Sequence, residues 1–120
     1  MDILTLESSD DTPQVILDKD KNIFEISGRC LPEDAVSFFN PIMDWVKRYA
    51  QSPNPATAFH IKLDYFNTAS SKLLLDLLTA LKAIPAIRVI WHSYADDEEV
   101  QEAGAEFSEQ VDIPFEFRER

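Results

Sequence analysis

Asp64-Tyr65-Phe66-Asn67-Thr68-Ala69-Ser70-Ser71-Lys72-Leu73-Leu74-Leu75-Asp76-Leu77-Leu78-Thr79-Ala80-Leu81-Lys82 is the stretch on which the fold turns. Consecutive helix residues rotate by about 100°. On that wheel Leu73, Leu74, Leu77, Leu78, Leu81 and Ile84 make one broad apolar face, and Thr68, Ser71, Lys72, Leu75, Thr79 and Lys82 gather on the opposite one. The spacing predicts a helix from about Ala69 to Ile84, stopped by Pro85. Just before it, Ala58 to Leu63 alternates apolar and polar residues as a strand does. The stretch is therefore a strand-to-helix junction.

The same grammar extends outward on both sides. Gln14 to Leu17 and Asn22 to Ser27 read as two strands of an antiparallel hairpin, with Asp18-Lys19-Asp20-Lys21 as the turn and Gly28 closing the second strand. Leu31-Pro32-Glu33-Asp34 opens a helix in which Ala35, Phe38, Phe39, Ile42, Val46 and Tyr49 recur at helical spacing. Pro41 lies inside that pattern and predicts a kink near Asn40. Ile87 to Trp91 is a compact apolar strand, Asp96 to Phe107 an acidic amphipathic helix, and Phe115 to Phe117 a last short strand. The order β-β-α-β-α-β-α-β implies a mixed sheet of four or five strands with about three helices packed on it, in one domain spanning residues 1–120. A chain of 120 residues fits one domain of the usual size and buries about two-thirds of its unfolded surface without a staple.

Composition narrows the function classes. Net charge −11 with a pI near 4.4 argues against a nucleic-acid partner, because phosphate backbones require stripes of Lys and Arg. The only cysteine, Cys30, permits no internal disulfide and no four-cysteine zinc site. The start, Met1-Asp2-Ile3-Leu4, has no basic region ahead of an apolar run, and no segment approaches the roughly 18 apolar residues of a membrane span. Membrane insertion is not expected, and a cytoplasmic location is. Two glycines leave no phosphate-cradling loop, so no cofactor is expected. His60 and His92 sit in or beside apolar strands, and no Ser-His-Asp or HExxH spacing accompanies them, which leaves catalysis unsupported. Between Val89 and Phe117 the chain carries Asp96, Asp97, Glu98, Glu99, Glu102, Glu106, Glu109, Asp112 and Glu116 with no Lys or Arg. That run reads either as a solvated face or as a docking surface for a basic partner.

What remains is the junction itself. Asn67, Thr68 and Ser70 can each serve as the N-cap that satisfies a free backbone N–H. Thr68 shares a helix line with Lys72, Leu75 and Thr79, and a leucine set among hydroxyls and a lysine suits a partner surface as well as plain exposure. A phosphate on Thr68 would add about −1.5 to −2 charge; the helix dipole and Lys72 would favour it, and Asp64 would oppose it. The candidate partner contacts are Asp64, Asn67, Ser70, Ser71, Lys72, Leu75 and Thr79. Trp45, one step off the main stripe of the first helix, is expected to be a part-exposed contact as well.

These residues carry a resemblance. The sheet order with an Asp-x-x-Asn-Thr-x-Ser-Ser turn resembles the anti-sigma-factor-antagonist, or STAS-like, fold. More closely, Gly28 to Asp34, Phe39 to Trp45, Tyr65 to Lys72, Trp91-His92 and Glu102 to Phe117 resemble the SiaC family of regulatory phosphoproteins. The resemblance implies a partner-switching module in cyclic di-GMP and biofilm signalling. It implies that Thr68 is phosphorylated by a cognate serine/threonine kinase and restored by a phosphatase, and that the unphosphorylated form binds and activates a diguanylate cyclase. The alternative is an anti-sigma factor antagonist that binds a serine kinase. Cys30 and Pro41 depart from the family pattern and bear on the first helix's surface rather than on the fold.

Overall fold

The computed structural model describes residues 1–120. Six strands and three helices follow one another: β1 Leu4–Leu6, β2 Gln14–Asp18, β3 Ile23–Cys30, α1 Ala35–Tyr49, β4 Thr57–Phe66, α2 Thr68–Leu81, β5 Ile87–Ser93, α3 Glu98–Val111 and β6 Phe115–Glu119. The class is the mixed α/β sheet expected, with one strand more than the four or five predicted. The addition is β1, which pairs antiparallel with β2 from Leu4 opposite Leu17 to Leu6 opposite Val15. Three residues are too few for an alternation to stand out in sequence.

All six strands form one sheet in sequential order. β1, β2 and β3 are joined antiparallel, and β3 to β6 are parallel. Because each parallel step moves the same way across the sheet and crossovers are right-handed, α1, α2 and α3 all lie on one face. α2 is the middle helix, packed against α1 on one side and α3 on the other. The helix-facing side chains of the strands, among them Leu17, Phe24, Ile26, Phe59, Ile61, Leu63, Val89 and Trp91, are buried. Glu25, His60, Lys62, Arg88, His92, Glu116 and Arg118 pave the other face.

Gly28 does not end its strand. It has φ +116 and marks a register shift, after which Arg29 and Cys30 go on pairing with Tyr65 and Phe66. Only glycine adopts that backbone without strain, and the bulge carries β3 alongside the end of β4.

α1 runs uninterrupted through Pro41. Asp34 caps it, accepting from Ser37 N–H at 3.1 Å. That bond and a second from the Ser37 hydroxyl hold the Asp34 carboxyl below the usual range. Trp45 corrects an expectation: it is 2% exposed, stacked on Tyr49 at 5.2 Å, and its Nε1 donates to the Asp2 carbonyl at 2.7 Å. The apolar stripe of α1 is wide enough to include it, and β1's entry segment supplies the partner its indole N–H needs once buried.

Candidate functional site

β4 delivers the chain to the middle of the molecule, and the junction with α2 is held at three points. Asn67 has an extended backbone, and its Oδ1 accepts from Ser70 N–H at 2.9 Å, so Asn67 is the N-cap. Its own N–H donates to the Cys30 carbonyl at 3.1 Å, and its carbonyl accepts from Ser71 N–H at 2.9 Å. Thr68 is thereby the first residue of α2, exposed, with capping done by its neighbour. Its hydroxyl is free for other chemistry at the positive end of a helix dipole.

The remaining candidates separate into two groups. Ser71 is half-buried, and Lys72 and Thr79 are exposed on the helix line expected of them. Leu75 lies on that line too, yet is half-buried against the edge of the core rather than exposed, because α3 lies beside it. Asp64 is exposed and pairs with Arg120 at 2.8 Å. Ser70 is the correction here. It is fully buried, faces the core, and its Oγ makes no regular hydrogen bond. It lies against the Cys30 thiol, whose pKa burial raises and the Ser70 hydroxyl partly lowers. Trp45 is likewise core and presents nothing to a partner.

Thr68, Ser71, Lys72 and Leu75 form one wall of a groove of about 340 Å³ whose other wall is Ala103, Glu106, Phe107 and Gln110 of α3. Ala103 also lines a smaller cavity of about 230 Å³ beside Asp64, Tyr65, Asp97 and Glu99. On the far side of α2, Val36, Ala69, Lys72 and Leu73 line a groove of about 590 Å³ between α1 and α2. Thr68 thus begins a ridge flanked by concave surfaces, with Lys72 bordering two of them. The floor is apolar at Leu75 and Phe107, and the α3 rim is acidic at Glu106. The α3 wall escaped the sequence reading because its residues lie about 35 to 42 positions from Thr68; its acidity was the one visible signal.

The histidines lie elsewhere. His60 Nδ1 and His92 Nε2 are 2.9 Å apart on the helix-free face. Burial lowers both pKa values, with nearby Lys62 and Arg118 adding to the effect, and brings His92 to about 4. With α2 on the opposite face, His92 does not pair with Thr68. No group of three or more His, Cys, Asp or Glu gathers where a metal ion could be held. No helix is long and apolar enough to cross a membrane.

Comparison with known proteins agrees with this geometry. A family model described as SiaC family regulatory phosphoprotein matches residues 6–120. An uncharacterised protein of Pseudomonas aeruginosa strain UCBPP-PA14 is 27% identical over 119 residues, covering 96% of this chain and 94% of the relative. Among solved structures, SiaC of Pseudomonas aeruginosa bound as activator to the diguanylate cyclase SiaD aligns with TM-score 0.88 at 26% identity, covering 98% of this chain and 99% of that one. Apo-SiaC of the same organism aligns with TM-score 0.84 at 28% identity and the same coverage.

Proposed function

The chain belongs to the SiaC family of regulatory phosphoproteins, and from that premise we propose that it is a phosphorylation-switched activator of a diguanylate cyclase. The observation that carries the reading is Thr68: exposed, first in α2, excused from capping by Asn67, and on the rim of the α2–α3 groove. In the unmodified state the groove offers the cyclase an uncharged Thr68 hydroxyl on the α2 rim and an apolar floor at Leu75 and Phe107. A cognate serine/threonine kinase adds the phosphate and a phosphatase removes it.

The switch needs no refolding. The phosphate adds about −1.5 to −2 charge, where the free N–H groups of the first turn and Lys72 favour it. Across the groove stands Glu106, already negative. Modification therefore changes the sign and bulk of the rim while the Asn67 cap stays in place. Support for the cyclase as partner comes from the solved complex of SiaC with SiaD.

The test is a binding titration of Thr68→Ala and Thr68→Asp protein against the diguanylate cyclase of the same organism. The reading expects Thr68→Ala to bind as the unmodified protein does and Thr68→Asp to bind at least about tenfold more weakly. Equal affinities for the two variants would contradict it.

A further inference from the structure

The outer edge of β6 is open, and its sequence is complementary to itself. Pro114 C=O accepts from Val89 N–H at 2.9 Å, and Arg120 N–H donates to Ser93 C=O at 2.8 Å. Even-numbered residues of this strand therefore turn their backbone groups inward to β5. Backbone groups alternate sides along a strand, so Phe115, Phe117 and Glu119 turn theirs outward, at the edge of the sheet that no strand covers. α3 packs against β4 and β5 and leaves this edge uncovered. Phe117 is 53% exposed beside a cavity of about 400 Å³ that Ala95, Gln101 and Ala105 also line. An aromatic side chain on an unpaired strand edge invites another strand.

We propose that β6 pairs antiparallel with β6 of a second copy about a two-fold axis through Phe117, joining two sheets into one. In that register Phe117 faces its own copy, and Phe115 faces Glu119. These are the hydrogen-bonded pairs, so all outward N–H and C=O groups of residues 115, 117 and 119 are satisfied at once. Glu116 then stands opposite Arg118 of the second copy, twice, in the non-hydrogen-bonded positions where side chains approach most closely. Arg118 already bonds Glu116 of its own chain, and Glu116 also holds Arg88 at 3.1 Å, so the exchange keeps the carboxylate paired. The two Phe117 rings cover each other over the cavity. The opposite edge, β1, has three residues and offers a shorter ladder. Pairing of β1 with β6 would be head-to-tail and would not close, whereas the β6 pairing closes at two.

Sedimentation velocity of the intact chain across a concentration series, with charge-swapped variants, tests this. The expected particle has twice the 13.7 kDa protomer mass and does not grow beyond it. Glu116→Arg and Arg118→Glu each place like charges opposite one another twice and weaken dimerisation about tenfold or more. The double variant Glu116→Arg/Arg118→Glu restores it. Thermal melts confirm that each variant is folded. A monomer at millimolar concentration, growth beyond a dimer, or a dimer unmoved by either single swap would overturn the proposal.

Discussion

At the scale of the residue, Asn67 does the structural work of capping α2 and leaves the Thr68 hydroxyl free for the proposed signal. Asn67 supplies the cap, so Asn67→Ala costs about 1 kcal/mol of stability. Thr68→Ala, which removes no cap, stays within about 0.5 kcal/mol of the parent. Urea midpoints for the two variants check the division; a larger loss at Thr68 than at Asn67 would reassign the cap. Trp45 belongs to the same scale. It stacks on Tyr49, lies 6.0 Å from Phe24, and is bonded to Asp2. Trp45→Ala is expected to lose about 3–5 kcal/mol, whereas a surface contact would lose far less. The sequence placed Trp45 one step off the stripe of its helix, and that step was not enough to bring it to the surface. An aromatic ring reaches further than the wheel's geometry suggests.

Elements meet through a few close approaches. Gly104 of α3 lies so near Trp91 that an added Cβ would sit 2.5 Å from the indole Nε1. That nitrogen donates to the Val100 carbonyl at 2.9 Å, so one ring both fixes the height of α3 and satisfies its own N–H. Gly104→Ala must push α3 outward, costing about 1–3 kcal/mol. Because α3 is the second wall of the Thr68 groove, the same variant is expected to weaken partner binding while Thr68 itself is untouched. Urea melts and a binding titration read the two effects separately.

β4 and β5 meet on the other face through His60 and His92. Both are held below the ordinary histidine pKa when folded, so the unfolded chain binds more protons as the pH falls from about 6.5 toward 4. Stability therefore declines across that window and is fully present above it. The melting temperature should fall between pH 7 and pH 4.5, with a shallower slope in His92→Gln. An unchanged slope would show that the pair does not contribute. Glu25, Lys62, Arg88, Glu116 and Arg118 surround the pair.

Across the whole molecule, local pattern revealed most of the fold and one wall of the α2–α3 groove. The hairpin, the three helices and the parallel strands each carry a period that survives in sequence, and the crossover rule then places all helices on one face. β1 was invisible because three residues hold too little pattern. The β4–α2 junction was legible because Asn67, Thr68 and Leu75 lie close together in the chain. The α3 wall, the Arg120–Asp64 pair and the burial of Ser70 were not, since each depends on residues brought together by packing. The acidic run was read as a solvated face or a docking surface, and the fold allows both: Glu98, Glu102 and Glu109 are exposed, while Glu106 borders the groove.

The central claim is that charge at Thr68 turns partner activation off without unfolding the protein. The most direct measurement is the rate of cyclic di-GMP synthesis by the cognate diguanylate cyclase, with unmodified and with Thr68-phosphorylated protein added at equal concentration. Stimulation by the unmodified protein, and its loss on phosphorylation with the melting temperature preserved, is the predicted result. Equal stimulation by both forms, or by neither, would contradict the account.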